Sequence, residues 1–93
     1  MKHVQHFMLA GVKWRVIYAP PPSEPESLGA TERDQAVIYI NPSFAPQIQQ
    51  ATFFHELLHA IQFTRGIADD HDEVEIDATA NLLHQFYTTV QYE

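Results

Sequence analysis

His55-Glu56-Leu57-Leu58-His59 is the stretch that decides the fold, and its neighbours say where it sits. Two imidazoles four residues apart on a helix project from one face, about one turn apart, so both can reach a single cation. Glu56 lies off that axis and can act as base toward a metal-activated water without being a ligand itself. Ala51, Phe53, Phe54, Leu57, Leu58, Ala60, Ile61 and Phe63 wrap more than one face of the same helix, the pattern of a central helix. Such a helix carries His55, Glu56 and His59 inward, where unpaired polar side chains are costly. The helix is predicted from about Pro46 to Arg65, with Pro46 in its first turn, Ser43 or Ala45 near the cap and Gly66 in the left-handed stop position.

Upstream, Val12, Trp14, Val16 and Tyr18 alternate with Lys13 and Arg15, the period-two signature of a half-buried strand. Ala10-Gly11 suits a tight turn back from a first strand between His3 and Leu9, which predicts a hairpin. Pro20, Pro21, Pro22 and Pro25, among Ser23, Glu24 and Glu26, predict a stiff exposed loop. Leu28-Gly29-Ala30-Thr31 reads as the chain re-entering the fold, and Glu32-Arg33-Asp34-Gln35 as a polar turn. Ala36-Val37-Ile38-Tyr39-Ile40 is a strand apolar on both faces, which belongs inside a sheet or under a helix. Downstream, an acidic connector from Ile67 to Asp72 leads into a second helix that begins near Asp70 or Asp72 and ends about Gln91. The expected architecture is α+β: a three-stranded sheet, made of the hairpin and the strand near 36–40, packed on two helices, 46–65 and 72–91.

Composition bounds the rest. A chain of 93 residues, 45% hydrophobic, builds one core, so residues 1–93 are expected to form one domain. Twelve acidic against five basic residues, a net charge of -7, disfavour nucleic acid and anionic membrane surfaces as partners. Without cysteine, any metal must be held by His, Asp and Glu. No signal-peptide pattern and no stretch of transmembrane length occur, which leaves the cytoplasm as the expected location.

The His-Glu-x-x-His pattern requires a third protein ligand and an open fourth position. The candidates that follow it are His71, Asp72, Glu73, Glu75, Asp77 and His84. A helical wheel of the second helix groups Ile76, Leu82, Leu83, Phe86, Tyr87 and Val90 on one side and Glu73, Asp77, Asn81, His84 and Thr88 on the other. Glu75 stands at the margin of the apolar side, the acid aimed at the core, and a cation there would neutralise it. Glu75 is therefore the first choice for third ligand, Asp77 the second, and His71, in the connector, is expected to be solvated. His3, His6 and His84 have no matching partner spacing and read as surface or packed histidines.

The order of elements, together with His55-Glu56-Leu57-Leu58-His59 and Glu75-Ile76-Asp77-Ala78, resembles the gluzincin-type metallopeptidases, and among them the small ImmA/IrrE-like proteins and related phage-encoded peptidases. The resemblance covers most of the chain from Leu28 onward. It implies a minimal zincin-like fold with Zn2+ on His55, His59 and Glu75, Glu56 as general base, and a protein or peptide substrate, which in some relatives is a regulatory protein. Two departures stand out: many relatives have Gly where Leu58 stands, and their Ala-Asn pair is matched by Ala78-Thr79 or, in another register that promotes Asp77, by Ala80-Asn81. The rival expectation is a non-catalytic scaffold or interaction module on the same core, with or without zinc. Glu56 weighs against it, since a structural site has no use for a base. A chance motif on an ordinary core helix is disfavoured by so many polar groups on so apolar a helix.

Overall fold

A computed structural model of the chain describes residues 3–67 and 71–92. Strands β1 (His6–Leu9), β2 (Val12–Tyr18), β3 (Gly29–Glu32) and β4 (Val37–Ile40) precede helices α1 (Pro46–Thr64) and α2 (Glu73–Thr89), with a short 3-10 turn at Arg33–Gln35. The architecture is α+β, as expected, but the sheet has four strands in the order β1-β2-β4-β3 rather than three. The added strand is the stretch read only as chain re-entry. Its residues are small because β3 passes close under α1: a Cβ on Gly29 would lie 2.6 Å from the Tyr39 carbonyl oxygen and 2.8 Å from Thr52 Cγ2. The close approach removes the bulky β-branched side chains that mark a strand in sequence.

The hairpin turns at Ala10 and Gly11, both at positive φ, and pairs Leu9 with Val12 and His6 with Arg15. Two successive left-handed residues match the right-handed twist of the flanking strands. β4 lies inside the sheet, parallel to β2 and antiparallel to β3, which explains its apolar residues on both faces. The core cluster is Trp14, Val16, Ile38, Ile40, Phe53 and Ala60, drawn from β2, β4 and α1. The proline loop is exposed except for Pro21, which is fully buried. Asn41 ties this loop to β4 by donating through Nδ2 to the carbonyls of Pro25 and Ser27.

α1 starts at the expected proline, with Ala45 as its N-cap, and Gly66 follows its end at φ +83°. α2 is capped by Asp72, whose carboxylate accepts from the backbone N–H of Val74 and Glu75; the alternative start at Asp70 lies outside the described residues. The main departure from expectation is the rotation of α2. Ile76 and Ala80 are its buried residues, and Phe54 of α1 meets His84 and Tyr87. Leu82 and Phe86, expected to face the core, are 67% and 62% exposed. Glu73, Asp77 and His84 lie beside Ile76 and Ala80 against α1, where they meet that helix's polar side chains. Among the described residues no helix is long and apolar enough to cross a membrane.

Candidate metal centre

His55 and His59 turn their Nε2 atoms toward each other at 3.3 Å, the geometry that their spacing on α1 imposes. The third group is Glu73, in the first turn of α2. Its Oε2 is 3.2 Å from His55 Nε2 and its Oε1 is 3.1 Å from His59 Nε2. These three residues are the set of His, Asp and Glu among the described residues that could hold one cation. Ligand atoms at tetrahedral positions about 2.0–2.1 Å from zinc stand about 3.3 Å from one another, so the two Nε2 atoms match one edge of such a site, with one Glu73 oxygen at a similar distance from each of them. Two neutral imidazoles and a carboxylate are also a donor set that zinc accepts. A cation would offset the crowding of two nitrogen lone pairs that face each other.

Glu75 is not brought to the imidazoles. It is exposed and lines a small recess with Gln62, Ile67, His71, Asp72 and Ile76, toward the connector. The wheel placed it at the core margin on the premise that the apolar side of α2 is buried; with α2 rotated, the acid that reaches the Nε2 atoms of both histidines is two residues earlier. Asp77, one turn after Glu73, lies behind His55 with Oδ1 2.7 Å from Nδ1. It can fix the tautomer that leaves the Nε2 lone pair free, a common arrangement around metal-binding histidines. His71 is half-buried rather than solvated and sits 2.6 Å from His59, Nδ1 to Nδ1.

Glu56 is buried, 8% exposed, on the side of α1 that faces β3. The Thr31 hydroxyl lies 2.7 Å from its Oε1 and 3.0 Å from its backbone carbonyl. Burial pushes the Glu56 carboxyl above its ordinary range; the Thr31 hydrogen bond and nearby His55 pull it down, and Glu73 pushes it up. His59 is held below the usual imidazole range, chiefly by burial, with Glu73 opposing and His55 and His71 reinforcing. Both shifts favour uncharged forms, the physical consequence of placing the groups on a core-facing helix.

Beside His55 and Glu56 a cavity of about 550 Å³ opens between β3, α1 and α2. Leu28, Ile48, Ala51 and Ala80 give it apolar walls, while Gln47, Asn81 and His84 contribute polar groups. His84, which the sequence left without a role, is held by Gln50 with Nε2 2.9 Å from Oε1. Thr31 is the other residue that the sequence left unassigned: a small residue in a weakly marked strand gave no signal before the strand was placed against α1.

The sequence model of a known family, Peptidase M78, the IrrE N-terminal-like domain, matches residues 11–89. No curated protein and no solved structure gives a significant match. The matched span takes in β2, β3, β4, α1 and α2, and with them every side chain of the site.

Proposed function

Because the chain belongs to the Peptidase M78 family of IrrE N-terminal-like domains, a family of metallopeptidases, we propose that it is a zinc-dependent peptidase with His55, His59 and Glu73 as the metal ligands. The observation that carries this reading is the meeting of three residues, two imidazole nitrogens 3.3 Å apart with one Glu73 carboxylate oxygen 3.2 Å from the first and the other 3.1 Å from the second, beside a buried carboxylate and an open cavity. The absence of cysteine and the nitrogen and oxygen donors suit zinc.

When bound, zinc supplies an electrophile for the peptide carbonyl and acidifies water. Glu56 takes the proton of the attacking water and delivers it to the leaving amine. Thr31 occupies Oε1 of Glu56, which leaves Oε2 for the proton transfer. Asp77 keeps His55 oriented. β3, the edge strand beside the cavity, offers backbone groups to an extended protein or peptide substrate. A regulatory protein is the target that the family resemblance suggests.

The test has two parts. In zinc titrations, Glu73→Ala is expected to weaken binding by more than about 100-fold, beyond the usual effect of losing an outer partner, and Glu75→Ala far less. An equal or greater loss for Glu75→Ala would move the third ligand to Glu75. Against a peptide library, Glu56→Gln is expected to lower hydrolysis by about 10²–10⁴-fold. Zinc binding without Glu56-dependent cleavage would favour the non-catalytic scaffold, a reading supported by the outward apolar residues Val74, Leu82 and Phe86 on α2.

A further inference from the structure

His71 and His59 meet in a geometry that constrains where their protons lie. Their Nδ1 atoms are 2.6 Å apart, their ring centres 4.9 Å apart, and their planes differ by 19°. A five-membered ring with bonds of about 1.3–1.4 Å places each atom about 1.15 Å from its centre. A centre separation of 4.9 Å is therefore close to the largest that a 2.6 Å nitrogen contact allows. The two rings are edge to edge and nearly coplanar rather than stacked face to face, so the lone pair of one nitrogen points along the N–H of the other.

Only one Nδ1 of the pair can carry the proton. His59 Nε2 faces His55 Nε2 and Glu73 Oε1; to offer a lone pair to a cation there, the neutral His59 ring must keep its proton on Nδ1. His71 Nδ1 is then the acceptor and its own proton is on Nε2, a buried atom with no hydrogen-bond partner among the described residues, so the contact with His59 is the one polar tie of that ring. Phe63 packs on the His71 ring as well, with ring centres 4.6 Å apart and planes 49° apart.

We infer that His71 is a positioning residue for the metal centre, an imidazole that accepts the Nδ1 proton of His59 and so fixes both the tautomer and the aim of that ligand. This rests on the proposed zinc site and adds to it a connector residue that would not itself touch the metal. Asp77 does the same for His55 from α2. Each ligand histidine thus has its own outer partner, one a carboxylate and one a neutral ring.

Zinc affinity of the full chain, measured by competition with a chromophoric chelator, tests this. His71→Ala is expected to bind zinc about 10–100-fold more weakly, with the metal-free melting temperature of each variant recorded as a control on folding. His71→Asn puts an amide oxygen near the place of Nδ1 and should bind at least about five times more tightly than His71→Ala. His71→Gln, whose oxygen falls nearer Nε2, should not recover. In zinc-loaded wild type and His71→Asn the His59 ring N–H should give a slowly exchanging proton resonance, and in His71→Ala it should not. Wild-type affinity in His71→Ala overturns the role, as does a His71→Asn variant no better than His71→Ala. If the unaltered chain fails to bind zinc, the metal site itself is overturned, a result distinguishable from either of these.

Discussion

Glu56 carries opposing demands, because the site needs a carboxylate where the fold has little water to solvate one. Its folded-state affinity for a proton is raised by burial. The metal-free fold therefore bears no penalty below the ordinary carboxylate range, loses stability as pH rises through that range toward the raised value, and remains penalised above it. His59, shifted down, works oppositely: its contribution is lost as pH falls through the ordinary imidazole range toward the lowered value. Glu56→Gln removes the first effect and keeps an oxygen for Thr31 to donate to. Metal-free Glu56→Gln is therefore expected to melt higher than wild type at pH 8, with the gain shrinking toward pH 4. Thermal melts at the two pH values check it, and an unchanged difference would show that Glu56 is not desolvated. The two histidines and Glu56 were legible in sequence because helix geometry alone fixes their spacing. The neighbouring carboxylate was not, since the choice between Glu73 and Glu75 depends on how a second helix is rotated, and local periodicity reports where apolar residues lie, not which side meets a partner.

At the scale of elements, β3 shows how a functional strand escapes notice. Gly29 and Ala30 are poor strand markers, yet with Thr31 they pair with Ile40, Tyr39 and Ile38 in antiparallel register. Their smallness lets the strand lie against α1, with the Thr31 hydroxyl on Glu56. Gly29→Ala tests this closeness directly. The nearest atom is a backbone oxygen at 2.6 Å, so a rotamer change in Thr52 cannot relieve the clash and the strand has to shift. A loss of about 1–3 kcal/mol is expected, which for a chain of this size lowers the melting temperature by roughly 4–8 °C per kcal/mol. A melting temperature within a degree of wild type would mean that β3 is free to move away. The hairpin, β4 and both helices could be read from alternation, an unbroken apolar run, and proline, glycine and aspartate at helix ends. Those signals are local, whereas β3 is specified by what lies above it.

For the molecule as a whole, the site joins two parts that share little apolar core. The central cluster comes from β2, β4 and α1, while α2 meets α1 through Ile76, Ala80, the aromatic contacts of Phe54, and the site side chains. Zinc at about 100 times its dissociation constant should stabilise the fold by about 2.7 kcal/mol, and a chelator should reverse the gain. A melting temperature unmoved by zinc would contradict the proposed centre.

The rotation of α2, which buries Ile76 and Ala80, sets Glu73, Asp77 and His84 beside α1 and leaves Leu82 and Phe86 outside, also affects the order in which the protein opens. Amide exchange follows local opening, and segments with few buried apolar contacts open first. In chelated protein the amides of α2 should exchange with solvent well before those of β4 and α1, and zinc should slow α2 selectively. On the proposed metal centre the helix would behave as a latch whose closing is counted in metal ions, and occupancy of the site would be read as deuterium uptake along α2.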